Sequence, residues 1–199
     1  MNFSFKRFGN IFNTNKGFTL IELMITVAIF VLMTSLLLAK YNNYYSGTIF
    51  KNQAYDIAIT LRQAQSFGIS VKVDSQSFGS AYGVSFPSAG VTNFSLYSYT
   101  RNGTLYAKNI PQKDYRLKNG AYIEKLEVRA NASDNATYAN SVDVIFQRPN
   151  PEALICADVN GTKSCTTYKY FSIVLKAAND TIKTVKVNNS GQISIIENN

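Results

Sequence analysis

The sequence predicts an α+β chain: a long N-terminal helix, its first half able to span a bilayer, packed on a C-terminal antiparallel β-sheet domain. Three observations predict it. Residues 18–39 are mostly apolar and carry one charge, Glu22. From Phe50 to Gly68 apolar residues return at three- and four-residue steps, the period of a helix face. From Asp74 onward short β-prone runs alternate with turns rich in Asn and Gly.

The apolar run holds 22 residues, Phe18 to Ala39, with no Pro and no Gly. At about 1.5 Å per residue it spans roughly 33 Å, against a bilayer core of about 30 Å. Lys6, Arg7 and Lys16 precede it and residues 1–17 contain no acid. That bias keeps this end cytoplasmic and places everything after Ala39 outside the cytoplasmic membrane. A secretory signal peptide fits poorly, because its core is shorter and a small-residue cleavage site follows it. Here Lys40-Tyr41-Asn42-Asn43-Tyr44-Tyr45 follows. A plain anchor fits the hydropathy but explains neither Gly17 nor Glu22. An ionisable group in a spanning helix is costly and marks either a site near the headgroups or a functional partner.

The amphipathic part follows directly. Phe50, Ala54, Ile57, Ala58, Leu61, Ala64 and Gly68 form the stripe, with Lys51, Gln53, Asp56, Arg62 and Gln65 between them. No Pro occurs before Pro87, so one helix is expected from about Phe18 to about Val71. Gly47 is a soft point, since Gly lowers helix stability by about 1 kcal/mol. Tyr41, Tyr44 and Tyr45, beside Lys40, suit an interfacial belt or the packing of a filament shaft.

The β-region offers nine candidate strands: Tyr82–Phe86, Phe94–Thr100, Leu105–Lys108, Ala121–Val128, Ser141–Phe146, Leu154–Asp158, Tyr168–Leu175, Thr181–Val187 and Gln192–Ile196. Arg101-Asn102-Gly103-Thr104 and Asn188-Asn189-Ser190-Gly191 place Asn and Gly where a turn needs positive φ. Residues 130–140 read as a loop.

Composition narrows the function classes. The chain of 199 residues carries a net charge of +8 and no His. Without His, Ser-His and Cys-His catalytic pairs are excluded, and no phosphate-cradling Gly-rich motif is present. Glu124 and Glu127, three apart on a strand, should face opposite sides. No enzyme activity, cofactor or catalytic residue is expected. Cys156 and Cys165 have eight residues between them, including the Asn160-Gly161 turn signal. In an extracytoplasmic domain they should form a disulfide. Two Cys with no His fall short of a zinc set, so no metal is expected.

Lys16-Gly17-Phe18-Thr19-Leu20-Ile21-Glu22 at the head of the apolar run resembles the cleavage and methylation motif of type IV prepilins. The resemblance implies a leader, residues 1–17, cut after Gly17 by a prepilin peptidase, and N-methylation of the new terminus, Phe18. It implies that the Glu22 carboxylate meets the Phe18 amine of a neighbouring subunit during assembly. An unpaired charge in an apolar filament core is costly, so an ammonium there needs a carboxylate. Removing a +3 leader from the +8 chain leaves +5 for the mature part. Residues 18–72 would then be the long helix, with 18–39 in the membrane or filament core, and 73–199 the β-rich pilin domain.

Within that group, Leu61-Arg62-Gln63-Ala64-Gln65-Ser66 is similar to a pattern of the GspH/FimT family of minor pilins and pseudopilins. Tyr82–Phe86, Val142–Phe146 and Val185–Ile193 fall in the order of that family's strands. Ala39 stands where major pilins usually have Pro. The resemblance implies a minor pilin or pseudopilin of a type IV pilus or type II secretion machine, with other pilin or pseudopilin subunits as partners. A major pilin is the first alternative. A DNA-binding minor pilin is the second, but its Gly-Arg-x-Arg motif is replaced by Gly191-Gln192-Ile193-Ser194. The basic residues are scattered, with Lys113/Arg116/Lys118 and Lys183/Lys186 as local groups, so nucleic acid is the weaker partner.

Overall fold

A computed structural model describes residues 17–70, 81–102 and 105–197. One helix, α1 (Leu20–Ile69), precedes eleven strands. These are β1 (Ala81–Phe86), β2 (Asn93–Asn102), β3 (Leu105–Arg116), β4 (Tyr122–Arg129), β5 (Thr137–Tyr138), β6 (Ser141–Phe146), β7 (Ala153–Val159), β8 (Thr162–Tyr168), β9 (Tyr170–Lys176), β10 (Ile182–Asn188) and β11 (Ile193–Glu197). The architecture is the expected one: an N-terminal apolar helix followed by an antiparallel β-sheet domain. The chain divides into two compact units, Met1–Asn43 and Tyr44–Asn199. The division falls inside α1, so the second part of the helix folds with the strands. α1 runs through Gly47 without interruption. The side chains of Lys40, Tyr41, Tyr44 and Tyr45, the expected helix end at Val71, Asp74 at the start of the β-pattern and the Gly103-Thr104 turn all lie outside the described residues.

Two antiparallel sheets enclose the core, a six-stranded one ordered β3-β2-β1-β6-β7-β8 and a five-stranded one ordered β11-β10-β9-β4-β5. The α1 stripe Phe50, Ala54, Ile57, Ala58, Leu61 and Ala64 is buried against the inward residues of both. Phe86 of β1 contacts Phe171 of β9 with ring centroids 5.5 Å apart, so aromatic packing bridges the sheets. Gln53 and Gln65, between the stripe residues, reach the β-domain as well. Gln53 is buried, donating from Nε2 to the Lys118 carbonyl at 3.0 Å and accepting from the Lys118 amide at 3.0 Å. Gln65 Nε2 donates to the carbonyls of Pro151 (2.9 Å) and Gly191 (3.2 Å). These amides satisfy backbone groups in turns that the sheets leave open.

The strands differ from expectation where neighbours override local pattern. The third candidate extends to Arg116, because β3 is an edge strand. Pro111, opposite Tyr97, therefore removes no inward ladder bond. Tyr168–Leu175 is two strands, not one. Tyr168 pairs with Ile155 in the six-stranded sheet, while Lys169 bonds through its backbone to Arg129 and Asn189, and Tyr170 enters the other sheet. Thr162–Cys165, read as a connection, belongs to β8 because the positive-φ turn Asn160-Gly161 returns the chain at once. The expected loop 130–140 contains the short β5, paired with Glu127 and Val128. A bulge between Ile123 and Lys125 shifts the alternation of β4, so Ile123 and Leu126 both enter the core. Glu124 and Glu127 consequently share the outer face, lining one depression together.

Candidate processing and assembly site

Gly17, Phe18 and Thr19 precede the first turn of α1 in irregular backbone, fully open to the surroundings. A Cβ built on Gly17 would have nothing within 4 Å. The chain itself therefore sets no steric demand for Gly at this position. Thr19 then starts the helix. Its hydroxyl accepts from the Glu22 amide (3.3 Å), while Glu22 Oε2 accepts from the Thr19 amide (3.0 Å) and hydroxyl (2.8 Å). This is a capping box, which satisfies the free donors of a helix N-terminus and places a carboxylate where the helix dipole favours it. Thr19 is a residue that the sequence reading left without a role. The signal was present as Thr-x-x-Glu before an apolar run.

The geometry fixes what this segment offers. The Gly17–Phe18 bond lies in non-helical chain one residue before the cap, and Phe18 is 79% exposed. Every large apolar side chain from Leu20 to Leu38 is at least half exposed. Leu20–Leu38 is long and apolar enough to cross a membrane. Its Thr residues do not oppose this. Thr26 donates to the Leu23 carbonyl, and Thr34 to those of Phe30 and Val31, so these hydroxyls are met within the helix.

Residues 12–38 match the prokaryotic N-terminal methylation motif. The N-terminal segment is type IV prepilin-like. No curated protein and no solved structure matches the chain with significance. The motif supports a type IV pilin-like protein in general terms, with a structural role. It implies a prepilin peptidase and other pilin subunits as partners, and with the apolar helix it is consistent with a single-pass anchor in the inner membrane.

The other predicted pair lies in the β-domain. Cys156 of β7 and Cys165 of β8 are joined by a disulfide. They lie on the outward face of the six-stranded sheet, in a second small apolar cluster with Ala81, Tyr99 and Ile145. Beside them is a buried charge that sequence reasoning missed. Asp143 of β6 is opposite Cys156, and its side chain is 2% exposed. Lys108 of β3 reaches Oδ1 at 2.9 Å and Lys163 of β8 reaches Oδ2 at 2.7 Å. The Tyr99 hydroxyl donates to Oδ1 at 3.2 Å, and Lys108 also donates to Ser85 Oγ at 2.6 Å. Burial alone would push the Asp143 carboxyl up, but the two ammonium groups hold it below its ordinary value. Burial beside that carboxylate pushes the Tyr99 phenol far up. The arrangement ties both edge strands, β3 and β8, to a central one.

Proposed function

We propose that this chain is a minor pilin or pseudopilin, a membrane-anchored structural subunit of a type IV pilus or type II secretion pseudopilus. Residues 1–17 are the leader, 18–72 the segment that carries the long helix and 73–199 the β-rich domain, which faces away from the cytoplasm. A prepilin peptidase cuts after Gly17, and Phe18 becomes the methylated terminus. The exposed apolar helix leaves the bilayer to join a helical stack, where Glu22 meets the Phe18 amine of a neighbour. The observation that carries this reading is the juxtaposition at one helix start: an open Gly17–Phe18 bond, a capped Glu22 and an uncovered apolar surface immediately after it.

The GspH/FimT resemblance supplies the choice of a minor role. Of the residues in that pattern, Leu61 and Ala64 are buried, and Gln65 ties the helix to the Gly191 turn. Mass spectrometry of filaments sheared from the native cell tests the assignment. A trace subunit beginning at methylated Phe18 fits the proposal, whereas a dominant one makes it a major pilin. DNA binding draws little support from the basic groups. Lys183 and Lys186 are three apart on β10, Lys183 buried and Lys186 exposed, so they form no common patch. Lys108 and Lys163 are already committed to Asp143.

A further inference from the structure

The outer face of the five-stranded sheet holds a cleft of about 280 Å³ that the subunit reading does not use. Its floor is Ser172 of β9, 8% exposed, in register with Lys186 on β10 and Glu127 on β4. Lys186 is opposite Ser194 of β11, and Arg129 of β4 is opposite Tyr170 of β9. Gln192 closes the end where β10 turns into β11. Strand alternation keeps these side chains off the core, which takes Val128, Phe171, Ile173, Val185 and Val187 instead.

The chemistry of this cleft is one-sided. Its lining includes two cations, Arg129 and Lys186, and no carboxylate. Arg129 is loosely held: Nη2 is 4.0 Å from Glu127 Oε2 on the rim, beyond hydrogen-bond reach, and Nε is buried with no partner. Lys186 forms no ion pair among the described residues. Gln192 Oε1 is taken by Asn188, leaving its NH₂ group to donate. A guanidinium with no carboxylate in hydrogen-bond reach, beside a second cation, favours an oxyanion, and the planar Arg fork matches a carboxylate. The Ser172 and Ser194 hydroxyls and the Gln192 amide suit hydroxyl groups, while the Tyr170 ring offers a flat apolar wall. A nucleic-acid strand would need a continued cationic track. Here the adjoining depression shares Arg129, Ser172 and Lys186 but adds Glu124 and Glu127, which close the track on that side.

We infer that this cleft binds an acidic sugar unit, a carboxylated monosaccharide held with its carboxylate between Arg129 and Lys186. The inference stands apart from the pilin reading, because it is tested on the purified full chain in detergent micelles. The probes are D-glucuronate, D-galacturonate, D-glucose and inorganic phosphate, titrated calorimetrically. Saturable binding of either uronate is expected, with glucose weaker by about tenfold or more, since it lacks the charge-assisted contact. Arg129→Gln and Lys186→Gln should each weaken binding by about tenfold, and added salt should weaken it further. Glu127→Gln should tighten it by removing the competing carboxylate, a gain that misfolding does not produce. Absence of uronate binding, phosphate binding as tight as uronate, or affinity unchanged in Arg129→Gln would each overturn the assignment.

Discussion

Gly68 of α1 lies against the backbone of Phe146 in β6. A Cβ at Gly68 would stand 2.5 Å from the Phe146 carbonyl oxygen and 2.8 Å from its carbonyl carbon. The opposing atoms belong to the main chain of an interior strand, which has little room to yield. Ala is the better helix former by about 1 kcal/mol, yet Gly68→Ala is expected to destabilise the β-domain by about 1–3 kcal/mol through overpacking. Denaturant unfolding of the full chain in detergent checks this. An unchanged or raised midpoint would mean that helix and sheet separate freely at this contact.

Asp143 predicts an acid-sensitive domain. Its folded pKa lies below the unfolded value, because Lys108 and Lys163 outweigh the opposing effect of burial. The unfolded chain therefore takes up this proton first. The stabilisation is complete at neutral pH and fades as pH falls from about 4, the ordinary Asp value, through the folded pKa. Asp143→Asn should cost about 1–3 kcal/mol near neutral pH, since two lysines lose a charged partner. The difference from wild type should shrink by about pH 3. A gap that stays constant across that range would remove the linkage.

The disulfide acts on the same edge strand. Its cysteines are nine apart in sequence, and closing a loop of that size is worth about 2–3 kcal/mol in chain entropy. Reduction, or the double change of Cys156 and Cys165 to Ala, should lower the unfolding midpoint accordingly. Lys163, two residues from Cys165, also ties β8 to Asp143. The effects of Lys163→Met and of reduction should therefore not add, because both release one strand. Strict additivity would show that β8 is held elsewhere.

These features were unequally legible. The Phe50–Ala64 stripe was readable because a helix face repeats locally, and the turn at Gly191 because positive φ selects Gly. Sheet order was not, since β1 pairs with β6 across more than fifty residues. The break at Lys169 was hidden because Thr167-Tyr168-Lys169-Tyr170-Phe171 is β-prone throughout. The strand ends where its pairing partners change, which local sequence does not record. Asp143 stands between Val142 and Val144, where strand alternation turns its side chain away from the core. It does face outward, but Tyr99, Lys108 and Lys163 cover that face. At the N-terminus the reverse held: the methylation motif over residues 12–38 was plain from residue order alone, because such a pattern is local.

Glu22 caps its own helix and, in the proposed assembly, also meets a neighbour's amine; three variants separate the two roles. Glu22→Gln keeps an oxygen that accepts from the Thr19 amide but removes the charge. Thr19→Ala weakens the cap by about 1 kcal/mol and keeps the charge. Gly17→Val meets open space within the chain, so it should leave the fold unchanged and stop cleavage alone. If a charged partner for the Phe18 amine is what assembly requires, Glu22→Gln is cleaved normally but fails to enter filaments, whereas Thr19→Ala enters them. The N-terminal peptide mass and the amount of each variant in sheared filaments report both steps. Normal incorporation of Glu22→Gln would refute the intersubunit pairing. Failure of Thr19→Ala alongside it would transfer the requirement to the helix cap, and a mature-length Gly17→Val would refute cleavage at this bond.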